Sequence, residues 1–226
     1  MTMFPVYLLI LDWNTPEIRL FAMRQPNVIR LDPKMKFYEV IEKYGYTVVS
    51  KEQAQYIYEA RTTNSEKLKT LRLCGRNGTN QGKISDKWKF LLDAPFKISH
   101  KCCDVMKKSP VKKYEKETGR KAIIGTMTHE SQLRQLAWLQ NGCNAFEKSR
   151  PTSQPLSFWT EQDILQYIVE NDLEIASVYG EIKERDNGEL YLTGAQRTGC
   201  MFCMFGCQNE KSPNRFQRMA HTPQTI

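Results

Sequence analysis

The chain has 226 residues, 40% of them hydrophobic and 26% charged, with a formal net charge of +8. That balance suits one globular domain with its own core rather than a disordered chain. It offers no membrane-spanning helix: the longest apolar run, Val6–Leu11, is of strand length, and a span needs about 18 residues or more.

The N-terminus lacks a charged segment leading into a long apolar stretch, so no secretory leader is read and a cytoplasmic location is expected. In chain order, 4–11 (FPVYLLIL) is short, apolar and bounded by Pro5 and Asp12, which predicts a buried strand. Thr15 followed by Pro16 marks a helix start, with Thr15 as N-cap and Pro16 at the first helical position. This helix runs to about Arg24 and stops before Gln25-Pro26-Asn27. Residues 28–31 read as a second strand, 36–44 as a helix closed by Gly45, and 52–61 as another helix. Strand, helix, strand, helix predicts an α/β fold with a parallel sheet and crossover helices.

The stretch 62–87 is polar and contains Gly75, Gly78 and Gly82, which predicts a mobile loop or insertion whose basic residues are available to a substrate or partner. Residues 108–118 have helical spacing, 121–125 (KAIIG) read as a buried strand, and 130–141 as a helix ended by Gly142. An extended entry at 153–159 leads to Thr160-x-x-Asp163, a capping box for a helix reaching about Asn171. Asp186-Asn187-Gly188 is a hairpin turn signal between segments 179–183 and 190–193. Residues 1–226 read as one domain, with a cysteine loop and C-terminal tail at 195–226.

Seven cysteines, odd in number and clustered, point to metal binding rather than a disulfide framework. Cys102 and Cys103 are adjacent. Cys200-x-x-Cys203 is a loop that turns two thiolates toward one centre, and Cys207 follows closely. Four sulfurs are the ligand number of tetrahedral zinc or of a cubane iron–sulfur cluster. An adjacent pair is an awkward chelate for one small ion but reaches two irons of a cubane, and Met201, Phe202, Met204 and Phe205 would shield such a cluster from water. Zinc, a redox-active thiol pair and inert buried thiols stand as alternatives, although a redox pair leaves Cys102-Cys103 unexplained. Cys207 is a candidate replacement ligand, while Cys74 and Cys143 read as free thiols. Eight basic residues between Lys101 and Lys121 face only three acidic ones. Most of these lysines read as a solvated helix face, while the net charge of +8 suits a nucleic acid or a small anionic substrate.

Four motifs occur in order: Cys102-Cys103-x-x-x-Lys107-x-x-Pro110, Gly125-Thr126-x-x-x-Glu130-Ser131-x-x-Arg134, Pro155-Leu156-x-x-Trp159-Thr160-x-x-Asp163-Ile164 and Thr198-Gly199-Cys200-x-x-Cys203. In them the sequence resembles the phosphoadenosine/adenosine phosphosulfate (PAPS/APS) reductase family over about 101–206, with weaker similarity through 8–46. The resemblance implies an adenine nucleotide α-hydrolase-like fold, a twisted, mainly parallel sheet with helices on both faces. It further implies a 4Fe–4S cluster, as in APS-type members, on Cys102, Cys103, Cys200 and Cys203. The implied substrate is an adenine nucleotide sulfate or phosphosulfate. Lys107 would lie between cluster and substrate, Arg134 would face the anion, and Arg215 and Arg218 would add contacts from the tail; converging cations suit so concentrated an anion. A thioredoxin-like electron donor and a homo-oligomer are further expectations.

Two departures bear on activity. The family's Ser-Gly-Gly-x-Asp-Ser phosphate loop, whose backbone N–H groups cradle phosphates, is not found. Met1 instead stands just before what resembles the family's second strand, which implies truncation, a partner that supplies the loop, or lost phosphate binding. The family's nucleophilic tail cysteine has no counterpart after Cys207, and no catalytic residue is assigned. In its C-terminus the chain resembles reductase-like proteins of phages and mobile elements. The leading expectation is therefore an iron–sulfur oxidoreductase that reduces or transfers sulfur from an adenylyl sulfate-type nucleotide. The alternatives are a sulfur-transfer enzyme modifying nucleic acid on the same fold and a non-catalytic iron–sulfur binding subunit.

Overall fold

The structure is a computed structural model that describes residues 6–8, 16–195, 198, 200, 202–210 and 212–220, with side chains described at all of these except 6–8 and 218–220. Thr15, Gly199, Met201, the strand ends 4–5 and 9–11 and the side chain of Arg218 lie outside the described residues. The chain divides into two compact units, one comprising 1–8, 15–29 and 112–198, the other 9–14, 30–111 and 199–226. The elements are mixed α/β. No described helix is long and apolar enough to cross a membrane.

In chain order the first elements are β1 (Val6–Leu8), α1 (Pro16–Arg24), β2 (Val28–Arg30), α2 (Phe37–Tyr44) and α3 (Lys51–Thr62). The helices fall where the sequence predicts them, and local caps explain why. Glu39 turns back to accept the Lys36 N–H at 2.6 Å. Ser50 Oγ accepts from the Gln53 N–H at 3.1 Å and opens α3. Gly45, at φ +105, ends α2 where a Cβ would sit 2.4 Å from the Lys97 carbonyl carbon, so no larger residue fits without moving that strand segment.

α3 supplies the main core of the second unit. Ala54, Ile57 and Ala60 recur at helical spacing and are buried with Val48, Val49, Ile84, Leu91 and Ile98. The expected loop at 62–87 is instead largely built against this helix. α4 (Glu66–Cys74) packs on α3, and its Arg72 donates to Glu59 at 2.6 Å, to the Gly82 carbonyl at 3.0 Å and stacks on Tyr56 at 4.0 Å. Ile84 is fully buried beyond it. Hydrophobic patterning gives little sign of α4 because a charged fork and one isoleucine hold the segment.

α5 (Ser109–Thr118) leads into β3 (Ala122–Ile123), followed by α6 (Gln132–Asn141), β4 (Asn144–Ala145), β5 (Thr152–Ser153), α7 (Glu161–Glu170), β6 (Ile182–Glu184) and β7 (Leu190–Leu192). The described strands form three small sheets: β1 with β2, β3-β5-β4, and β6 with β7. β3 pairs parallel to β5 and β4 antiparallel to it. β3 is not the buried strand expected, since Ile123 is 62% exposed; parallel strands read as continuous apolar runs only where both faces are covered. The hairpin around Asp186-Asn187-Gly188 is as expected, with Lys183 opposite Tyr191. The Gln162 side-chain amide caps β7, giving to Leu190 O at 2.8 Å and taking from its N–H at 2.9 Å.

The capping box of α7 also forms as read. The Asp163 carboxylate accepts from the Thr160 N–H at 2.7 Å and hydroxyl at 2.8 Å, while the Asp163 N–H returns to Thr160 Oγ1 at 3.2 Å. These donors, the backbone N–H first and the hydroxyl second, lower the Asp163 pKa. A lowered carboxylate pKa adds stability above the unfolded value of about 3.9, which is lost as pH falls through the folded value. Thr160→Ala is expected to cost about 1 kcal/mol by denaturant unfolding at pH 7. The difference from wild type should shrink in acid; a gap that stays constant to pH 2 would contradict the charge-assisted cap.

Candidate functional site

The paired cysteines are reached from a segment fastened to the end of α2. Tyr46 N–H donates to Lys97 O at 2.8 Å and Ser99 N–H to Tyr46 O at 3.0 Å, a parallel bridge that directs residues 97–100. Ser99 is fully buried and its hydroxyl accepts from the Lys101 N–H at 2.9 Å. After Cys102-Cys103 the chain widens into one π-helical turn, Asp104–Lys108, closed by Ser109 N–H to Asp104 O. Pro110 gives the reason: it has no N–H for the Met106 carbonyl, so the regular ladder cannot continue there. Turns of this kind recur at functional sites.

The second cysteine element is a tight turn. Cys203 N–H donates to Cys200 O at 3.0 Å, and Gly206, at φ +76, donates its N–H to Val49 O at 2.7 Å. Val49 itself has φ +63. For a β-branched residue this is a strained conformation costing on the order of 1–3 kcal/mol, held by the surrounding packing. Phe202 stacks on Phe37 with ring centroids 6.1 Å apart, and Phe205 joins the α3 core. Cys102 and Cys200 pack against the same two buried side chains, Val40 and Met106. The structure thus gathers the adjacent pair and the C-x-x-C turn in one unit, on one apolar floor.

The sulfurs bear on one another's ionisation. Burial, then the negative charges of Cys103, Cys200 and Cys203, push the Cys102 thiol up to about 12, against a smaller pull from Lys107. Cys203 is raised mainly by burial, then by Cys200 and Cys103, with the Phe205 N–H and Arg215 opposing. For Lys107, desolvation would lower the pKa, but Cys200, to which it hydrogen-bonds, together with Cys103 and Cys203, outweighs this and raises it. Its ammonium therefore stays charged among three sulfurs, although its side chain is exposed at the surface. Among the described residues, no three His, Cys, Asp or Glu side chains are grouped so as to hold one metal ion.

Three neighbours escaped sequence reasoning. His100 is 8% exposed and its Nδ1 has no hydrogen-bond partner among the described residues; burial, then Lys101, lower its pKa. Asp104 ties Lys108 at 2.9 Å and Lys51, from the first turn of α3, at 3.6 Å. Glu210 binds Arg215. No motif announces a buried histidine, but Asp104 and Lys108 stand four apart, a spacing that signals a helical ion pair.

The other predicted residues are placed differently. Arg134, on α6 in the first unit, pairs with Glu130. Arg215 heads the helix α8 (Arg215–Ala220) and its guanidinium is engaged by Glu210 and by the Cys203 carbonyl at 3.0 Å. Cys207 begins a short 3-10 turn directly after the loop. Cys143 lies in the first unit and accepts from the Trp138 indole at 3.4 Å; hydrogen bonds from Ser157, then Trp138, lower its pKa.

Residues 20–207 match the family model described as phosphoadenosine phosphosulfate reductase domain. The chain belongs to this family. All four sequence motifs lie within the matched span of this PAPS reductase domain, whereas Arg215 and Arg218 lie beyond it. Membership implies a nucleotide sulfate as the substrate class. No curated protein sequence matches the chain.

Proposed function

We propose that this PAPS reductase-domain protein binds an adenylyl sulfate-type nucleotide and reduces or transfers its sulfur beside a 4Fe–4S cluster on Cys102, Cys103, Cys200 and Cys203, in an adenine nucleotide α-hydrolase-like fold. The observation that carries this reading is Lys107, a cation held among Cys103, Cys200 and Cys203 while its side chain reaches the surface. The donor set suits a cubane, which spreads its four thiolates over four irons, better than a single ion, for which no three donors are grouped among the described residues. Partly buried thiols that raise one another's pKa resist ionising alone, and a cationic inorganic centre relieves both their burial and their repulsion. Val40, Met106 and the Phe37–Phe202 stack supply the apolar shell that such centres use to limit water.

When bound, the cluster would supply redox-active iron whose potential is set by hydrogen bonds, charge and solvent access. The chain's own groups do the rest. Lys107 attracts and orients the anionic end of the nucleotide as a mobile point charge. Asp104 holds Lys108 and Lys51 beside the turn, and Lys108 is near enough for the Cys103 charge to help raise its pKa.

The test is calorimetric titration of anaerobic, full-length protein with the adenylyl sulfate and phosphosulfate nucleotides, followed by a sulfite assay with a thioredoxin-type reductant. Binding is expected to weaken about tenfold in Lys107→Ala, the worth of one hydrogen bond to a charged group, with iron content unchanged. Neither nucleotide binding at low salt would remove the proposal. Tight binding without turnover would leave the non-catalytic iron–sulfur subunit.

A nucleic-acid substrate is the second reading, motivated by the net charge of +8 and the exposed Lys112, Lys113 and Lys116 on α5. It requires binding to DNA or tRNA that falls steeply as salt rises from 50 to about 200 mM.

A further inference from the structure

The segment behind the cysteine turn closes on itself. Short turns link it step by step: Cys207 N–H to Met204 O at 3.3 Å, Asn209 N–H to Gly206 O at 3.0 Å and Glu210 N–H to Cys207 O at 3.1 Å. The Glu210 carboxylate then takes the backbone N–H of Arg215 at 2.8 Å and its Nε at 2.5 Å, with Nη2 on the same oxygen as Nε. Arg215 Nη1 is left to donate forward to the Cys203 carbonyl at 3.0 Å. The two side chains are only 27% and 22% exposed, so the pair is shielded from the water that would weaken it.

We infer that Arg215 is a positioning residue: aimed by Glu210, it clamps the Cys203 carbonyl and so holds the cysteine turn in shape. The planar guanidinium suits this role because its fork serves a carboxylate and a carbonyl at once, in fixed relative directions, which an ammonium cannot do. The far end of the turn is secured independently, by Gly206 on Val49. Between the two anchors the backbone that carries Cys203 is held by hydrogen bonds at both ends. The guanidinium also stands as a cation near that sulfur and favours its ionised form. A fork committed in this way is not spare for a substrate anion.

The clamp does not depend on the iron–sulfur reading, but its consequence for metal retention does, and two measurements separate them. The first is backbone hydrogen exchange on the full chain. Arg215→Ala should speed exchange across 200–210 about tenfold, the loss expected for a charge-assisted hydrogen bond, while α3 amides stay at the wild-type rate. Arg215→Lys should not restore protection, because the fork is missing. Glu210→Gln, which keeps the guanidinium and loosens its aim, should give a smaller acceleration and serves if Arg215→Ala does not fold.

The second measurement uses cluster-loaded protein. Arg215→Ala should release iron to a chelator faster and show a lower midpoint potential, and Arg215→Lys should bring the potential back toward wild type because the charge is retained. Unchanged exchange in 200–210 would overturn the clamp, as would equal acceleration in α3. Exchange that responds in a chain that never binds iron would keep the clamp and remove the cluster.

Discussion

Cys200→Ser is expected to leave the anaerobically reconstituted chain without a cluster. Wild type should hold about four iron and four sulfide per chain and absorb broadly near 400 nm, roughly as thiolate-bound clusters do. Cys200 shares its apolar floor with Cys102 and is the sulfur to which Lys107 hydrogen-bonds. Removing it would take one of the four proposed ligands and the sulfur that bears most strongly on the Lys107 cation. Cys102→Ser should behave alike, whereas Cys74→Ser should retain full iron because Cys74 is exposed at the end of α4. Loading should also raise the melting temperature, since a ligand bound only by the folded chain at a thousand times its Kd adds about 4 kcal/mol. One zinc per chain would replace the cluster with the alternative metal. A metal-free chain with an unchanged melting profile would end the metal reading altogether.

Ile57→Ala should have the largest effect on the fold. Ile57 is fully buried at the centre of the cluster formed by Val48, Val49, Ala54, Ile84, Leu91 and Ile98. Truncation removes transfer energy and leaves a cavity, together about 2–5 kcal/mol. For a unit of this size that corresponds to a fall of several degrees per kcal/mol, roughly 10–30 °C in melting temperature. Iron retention should fall with it, because Phe205 from the cysteine turn packs on the same cluster and Val49 anchors Gly206. Leu133→Ala is the matched control. Leu133 is 80% exposed on α6, and its loss should change stability by no more than about 0.5 kcal/mol. Equal melting shifts in the two variants would contradict the placement of the core.

These two cases show where reading along the chain succeeds and where it stops. The helix expected at 52–61 forms at 51–62, and what bounds it is local: its N-cap Ser50 and its buried Ala54, Ile57 and Ala60 lie within a few turns of one another. The capping box of α7 and the hairpin turn at 186–188 are local for the same reason. The segment 62–87, expected as a mobile loop or insertion, carries the helix α4, because what folds it is distant in sequence. Arg72 reaches back to Glu59 and Tyr56, and Ile84 fills the α3 core, so few apolar residues are needed and little periodicity remains. The strand at 121–125 was expected to be buried from its composition, yet Ile123 faces outward, since burial depends on what covers a strand and not on the strand itself.

The sequence by itself determined the family and the order of most helices, because motif spacing, caps and turn residues act over a few positions. Only the tertiary structure decided that Cys102 and Cys200 share the floor made by Val40 and Met106, that Lys107 sits among the thiols, and that His100 is buried with a nitrogen that has no partner among the described residues. It likewise decided that Arg215 is spent on Glu210 and the Cys203 carbonyl. A cysteine or an arginine carries the same chemistry wherever it stands in a chain. Which neighbours desolvate it, repel it or occupy its hydrogen bonds is set by contacts between residues far apart in sequence, and these exist only once the chain has folded.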